Sequence, residues 1–160
     1  MKTLLERRVH FGSLLMVLIG LVGVSCPALA ALGGDVSSVE ADRAHMKAEI
    51  TVTQAEAYAV HEMKAPGGTV VREYVSSDGR VFGVAWQGSF IPDMKQLLGT
   101  YYQQYAAAAK AARTARRGRG PLNIQQPGLV FENSGHMHAF SGRAYDPGLL
   151  QQGVSANDIR

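Results

Sequence analysis

His136-Met137-His138 is the spacing in this sequence with the most evident chemistry. On a strand, residues two apart share a face, so both imidazoles would point one way and Met137 the other. Two neutral imidazoles suit Zn(II), Cu(II) or Ni(II), but they do not complete a shell; a third donor would have to come from His61, His45 or a carboxylate. The expectation is therefore no cofactor, with zinc or copper on His136 and His138 as the alternative. A second feature is a basic arm, Lys110, Arg113, Arg116, Arg117 and Arg119, inside an Ala-, Arg- and Gly-rich stretch at 106–120. Cations at this density attract anionic surfaces. No aromatic residue is interleaved among them, so bases would find no stacking platform.

Catalytic patterns are sparse. The sequence has no Gly-x-Ser-x-Gly elbow and no His-Glu-x-x-His pair. Ser89 and Ser141 stand beside glycines and read as turn or strand serines. Glu62 and Glu73 could oppose one another across a hairpin as an acid/base pair, although solvated carboxylates among Lys64 and Arg72 are the plainer reading. The chain is expected not to be an enzyme; the alternative, an envelope enzyme, would need a cleft gathering His61, His136 and carboxylates.

The elements that must carry these residues are legible in part. Ser37 with Glu40 reads as a capping box opening a helix of about a dozen residues toward Glu49. Its apolar stripe (Val36, Val39, Met46, Ile50) is sparse, which predicts a peripheral helix. Segments 57–63, 69–76 and 80–87 are rich in Val, Tyr, Phe and Trp, and are separated by Ala65-Pro66-Gly67-Gly68 and by the hairpin dipeptide Asp78-Gly79. In the third, strict alternation would put Phe82, Val84 and Trp86 on one face and Val81, Gly83 and Ala85 on the other. Pro92 and Asp93 then open a helix with Met94, Leu97, Leu98, Tyr101, Tyr105 and Ala108 on one stripe. Two further strands, 129–132 and 137–145, flank a turn at Asn133-Ser134-Gly135, and Ser155 with Asp158 caps a closing turn. The expected architecture is α+β: one domain over 31–160, an antiparallel meander of about five strands, one amphipathic helix packed on a face, a peripheral N-terminal helix, and a flexible basic loop at 106–120.

The chain has 160 residues, 46% hydrophobic and 18% charged, enough for one domain with a sizeable core. Lys2, Arg7 and Arg8 precede an apolar run at 11–24 and the small-residue site Ala28-Leu29-Ala30, the pattern of a secretory signal cleaved before Ala31. The run is shorter than the roughly 20 residues a spanning helix needs. Cys26 would be the lipidated residue of a lipoprotein, but Gly23 stands where such signals carry Leu or Val. Cleavage removes Cys26, three of the 16 basic residues and Glu6 of the 13 acidic ones, leaving a net charge of +1. Nothing global then favours nucleic acid, and no permanent transmembrane span remains. An envelope protein or an anionic envelope surface is the expected partner, in the periplasm or cell envelope.

The segments Ala31-Leu32-Gly33-Gly34, GTVVREYVSSDGRVFGVAWQG at 68–88, PDMKQLLGTYY at 92–102, GHMHAFSGRAYDP at 135–147 and GVSANDIR at 153–160 together resemble a family of small exported bacterial proteins, domain of unknown function 2844. The resemblance spans nearly all of 31–160. It implies an exported protein without an established activity, and it brings no catalytic residues to transfer. The exported protein should have the intact mass of residues 31–160; retention of 1–30, or a diacylglyceryl adduct on Cys26, would overturn the reading of the N-terminus.

Overall fold

The computed structural model describes residues 32–115 and 120–160. The expected cleavage site, Cys26, Arg116, Arg117 and Arg119 lie outside the described residues. Over the rest the fold is α+β, built on one antiparallel sheet of seven strands rather than five. The strands are β1 (Glu49–Gln54), β2 (Tyr58–Lys64), β3 (Val70–Ser76), β4 (Val81–Gly88), β5 (Leu122–Gln126), β6 (Leu129–His136) and β7 (Ala139–Tyr145), in the order β1-β2-β3-β4-β7-β6-β5. Two meanders thus join where β7 returns to pair with β4.

The two additional strands sit at the edges. The N-terminal helix ends earlier than its stripe suggests, and β1 begins at Glu49. That helix, α1 (Val36–Met46), is capped by Asp35 rather than Ser37: the Asp35 side chain accepts from the Ser37 N–H, and Lys47 closes the other end with φ 50°. Ile50, read as part of the helical stripe, lies in β1 opposite Met63. β5 has only five residues between Pro121 and Pro127, with Leu122 and Ile124 alternating against Asn123 and Gln125, too short a run to stand out.

One irregularity decides which side chain goes where. Val75 pairs with Val81 and Tyr74 with Gly83, so Phe82 is an extra residue in β4, a bulge. Alternation slips by one at that point. Val84 and Trp86 face the helices, while Phe82 faces the other side with Tyr74, Ala85 and Ile159. The expected grouping of Phe82 with Val84 and Trp86 is therefore broken.

Both faces of the sheet are covered. On one, Leu32, Val39, Met63, Val71, Leu97, Leu98 and Phe131 pack around Trp86, whose indole N–H donates to Asn133 Oδ1 at 3.2 Å. Gly142 pairs with Trp86 across the β4–β7 register, and a Cβ there would lie 2.3 Å from the indole ring, so only glycine admits the tryptophan. On the other face the chain after β7 crosses the sheet. Ile159 is fully buried over Gly83, Tyr74 Oη donates to the Arg160 carbonyl at 2.7 Å, and Arg143 Nη1 donates to the carbonyls of Ala156 and Ile159. The turn before it carries the expected capping box between Ser155 and Asp158.

The helical segment after Pro92 starts as expected, with Asp93 accepting from the N–H groups of Lys95 and Gln96. It is not continuous. α2 (Met94–Leu98) ends at Gly99, with φ 45° and ψ −115°, a conformation in which a side chain would be strained. A single 3-10 turn (Gly99–Tyr101) follows, and α3 (Tyr102–Ala115) resumes in a new direction. The segment read as a basic loop is helical as far as Ala115.

Leu98 is fully buried under the sheet, whereas Lys95, on the same short helix, is exposed. Leu98→Asp should cost about 3–5 kcal/mol or abolish folding, because it buries an unpaired carboxylate; Lys95→Asp should stay within about 0.5 kcal/mol. Equal thermal midpoints for the two variants would refute the packing described.

Candidate functional site

The expected metal pair does not form as a strand-face site. β6 runs through Asn133-Ser134-Gly135 to His136, which pairs with Ala139, so Met137 and His138 are the two residues of the hairpin turn. His138 has φ 63°, and its ring meets the edge of Phe90 at a centroid distance of 6.4 Å. His136 closes a strand and His138 sits in a turn, so the period-2 geometry that would aim both at one ion is lost between them. His61 is on β2 and His45 on α1. Among the described residues, no three His, Cys, Asp or Glu side chains form a group that could hold a metal ion.

Glu62 and Glu73 are also separated, by the β2–β3 register. Glu62 pairs with Arg72 and accepts from its Nε at 2.8 Å, with Lys64 Nζ 3.4 Å away. Glu73 pairs with His61, on the opposite face of the sheet. There it meets a partner that the sequence reading missed. Asp42 of α1 and Glu73 are both fully buried, and Gln96 of α2 donates through Nε2 to Asp42 Oδ1 at 2.5 Å. With both carboxyls counted only as acceptors, Asp42 Oδ2 and both Glu73 oxygens have no partner. A proton on Glu73 supplies the missing donor. Burial first, then the hydrogen bond and charge of Asp42, holds the Glu73 carboxyl well above the usual range. Burial also raises Asp42, against the lowering effects of Glu73, Gln96 and His45. The pair resembles an acid dyad in its proton but not in its access, since neither side chain reaches solvent. Its work is mechanical: one shared proton and one amide hold α1, β3 and α2 together. A signal for Asp42 existed in the sequence, because it falls three residues after Val39 and four before Met46, on the apolar stripe of α1.

That anchorage sets the position of α2, and the break at Gly99 sets α3 against it. Tyr101, in the intervening turn, donates to Asp146 Oδ2 at 2.5 Å; burial and then that carboxylate push its phenol up to about 12. The result is an open groove of about 480 Å³ bordered by Lys95 of α2 and by Tyr102, Tyr105, Lys110 and Arg113 of α3, with Asp93 at its end. Tyr102 and Tyr105 have ring centroids 6.0 Å apart, and Tyr105 rests on Phe131 of the core at 4.5 Å. Burial raises the Tyr105 phenol while the Arg113 charge lowers it, a sign of how near that guanidinium stands. Lys95, Lys110 and Arg113 form no ion pair among the described residues. Two members of the expected basic arm, Lys110 and Arg113, are thereby brought beside a cation and two aromatic rings that the sequence reading had assigned to other roles or passed over. Tyr102 and Tyr105 are three residues apart, the helical spacing that could have marked them.

A family profile described as "Protein of unknown function (DUF2844)" matches residues 28–159. No curated protein and no solved structure matches the chain. Among the described residues, no helix is long and apolar enough to cross a membrane.

The proton on Glu73 makes stability depend on pH with a definite sign. A carboxyl whose folded pKa exceeds its unfolded value of about 4.3 stabilises fully below that value, and the contribution is lost as pH rises toward the folded pKa. His61, which burial lowers, acts in the opposite sense below about 6.5, so the informative quantity is the difference between wild type and variant. Glu73→Gln keeps a donor for Asp42 without a titratable proton. Wild type should lose up to about 1.4 kcal/mol more per pH unit than Glu73→Gln above pH 5, until Glu73 ionises. Parallel stability–pH curves from denaturant titrations would show that Glu73 is ionised in the folded protein.

Proposed function

The chain belongs to the DUF2844 family, and we propose that it is an exported, non-catalytic module of the periplasm or cell envelope that binds an anionic partner through Lys95, Lys110 and Arg113. The carrying observation is that these three cations, drawn from two helices, line one open groove without a carboxylate partner among the described residues. Unpaired cations that converge on a concave surface focus a positive potential, and the tyrosine hydroxyls add donors that a phosphate or carboxylate can use. Export rests on the N-terminal pattern Lys2–Ala30, which places anionic lipid headgroups and envelope polymers within reach and nucleic acid out of it. The non-catalytic reading is supported by the position of the strongest titratable pair, Asp42 and Glu73, closed off from any substrate. Arg116, Arg117 and Arg119, which follow α3 in sequence, extend the same charge.

Vesicle cosedimentation tests this reading. The protein should bind phosphatidylglycerol-containing vesicles at low salt, bind neutral phosphatidylcholine vesicles far less, and release as ionic strength rises. Each cation near an anionic surface contributes about 1 kcal/mol, so Lys110→Ala/Arg113→Ala should weaken binding about thirtyfold. Lys64→Ala, which removes a cation already paired with Glu62, should change it little. Equal binding by the double variant and wild type, or equal binding to neutral vesicles, would refute the groove as the anion site.

A further inference from the structure

The two edges of the sheet are treated very differently. β5 is five residues long, lies between Pro121 and Pro127, and is packed against α3, with Ile124 buried and Gln104 Nε2 donating to the Pro127 carbonyl at 2.9 Å. These are the devices that stop an edge from recruiting another strand. β1 has none of them. It pairs with β2 over six consecutive residues without a bulge, and it carries no proline. From Ile50 to Ala55 there is no charged side chain, and Thr51, Val52 and Thr53 are β-branched residues with exposed side chains, Val52 at 47%. Among the described residues, nothing pairs with its outer N–H and C=O groups, which form a pairing template.

We propose that β1 is the interface between two copies of this chain, joined antiparallel about Thr51 into one continuous sheet. The sequence of the edge matches itself in this register. Ile50 packs on the helix-covered core and Val52 shares its face, while Thr51 and Thr53 face the other way. A two-fold axis at Thr51 sets Ile50 against Val52 of the second copy twice over, Thr51 against Thr51, and Glu49 against Thr53. Opposed residues then share a face, as antiparallel pairing requires, and no like charges meet. The half-exposed Val52 is buried on the apolar side, and the threonines pair on the polar side. The contact is isologous, so it closes at two copies and leaves β5 as the outer edge of both. This interface lies apart from the basic groove and does not depend on it.

Sedimentation equilibrium of the purified protein should show a monomer–dimer equilibrium. Thr51→Lys and Thr51→Glu each put two like charges opposite one another on the axis. Because Thr51 is exposed in the single chain, both variants should keep the wild-type melting curve at concentrations where wild type is monomeric, while self-associating at least about tenfold more weakly. An equimolar mixture of the two should dimerise again, since unlike charges then face each other. In wild type, amide exchange in residues 50–54 should slow as protein concentration rises. A wild type that is monomeric at every concentration, a dimer that persists in Thr51→Lys, or a mixture that fails to recover would each overturn the proposal.

Discussion

The burial of two carboxyl groups, Glu73 of β3 and Asp42 of α1, is the constraint that the packing of α1, β3 and α2 has to meet. Two carboxyl groups buried side by side cannot both ionise in an apolar layer. With Glu73 protonated, the pair becomes a donor and an acceptor, and Gln96 completes it. These three residues come from β3, α1 and α2; β3 and α2 are also fixed by buried apolar side chains, whereas α1 has a sparse stripe. α1 buries only Val39 among its apolar residues, with Ser38 and Asp42, and so its place on the sheet depends on a polar contact rather than on a broad hydrophobic face. The polar contact is worth more here than at the surface, because breaking it would leave charged or unpaired groups in the core.

The second determinant is the bulge at Phe82. An ordinary strand would send Phe82 toward the helices with Val84 and Trp86, crowding the layer that already holds Trp86 and Phe131. The slipped register sends it to the opposite face, where it forms an aromatic cluster with Tyr58 and Tyr74. That cluster is apolar surface that must itself be covered, and the segment after β7 covers it, with Ile159 seated over Gly83 and the Arg143 guanidinium gripping the tail carbonyls. The bulge thus adds Phe82 to an apolar patch that Tyr58, Val60, Tyr74, Ala85 and Tyr145 also form. The second face is covered only in its centre, around Tyr74, Phe82, Ala85 and Ile159, and keeps the partly exposed pairs Arg72–Glu62 and Arg143–Glu132 around that patch.

The groove is a consequence of the same framework. Had the helix after Pro92 continued without interruption, Lys95 would lie about five turns from Arg113 along one rod. Gly99 breaks the rod, Tyr101 pins the break to Asp146, and α3 turns so that its basic residues border the groove that Lys95 also borders. The basic residues recognised in the sequence as an arm are, for Lys110 and Arg113, part of a shaped surface. Tyr102 and Tyr105 join it because they occupy the side of α3 between the core and solvent.

Local signals settled a good deal. The hairpin at Asp78-Gly79, the Asp93 cap, the apolar residues Met94, Leu97 and Leu98, and the Ser155–Asp158 box all follow from interactions within four or five residues, and all are where the sequence places them. The family, too, is legible from the blocks at 68–88 and 135–147. What escaped depends on residues far apart in the chain. The β6–β7 turn lies at Met137-His138 rather than at Asn133-Ser134-Gly135, because pairing of Gly142 with Asn133 and Trp86 sets the register from across the sheet and overrides the local turn preference. The edge strands were hidden because their alternation, Ile50 and Val52 against Thr51 and Thr53 in β1 and Leu122 and Ile124 against Asn123 and Gln125 in β5, rests on only two apolar residues each. Glu73 and Asp42, 31 positions apart, show their meaning only when α1 is laid over β3, since a carboxylate in sequence carries no sign of whether its proton will stay. The sequence by itself determined the five inner strands, the Asp93 cap and the closing capping box; tertiary structure decided the edge strands, the face that Phe82 takes and which charges would be buried, because register and desolvation are properties of the packed chain and not of any one residue.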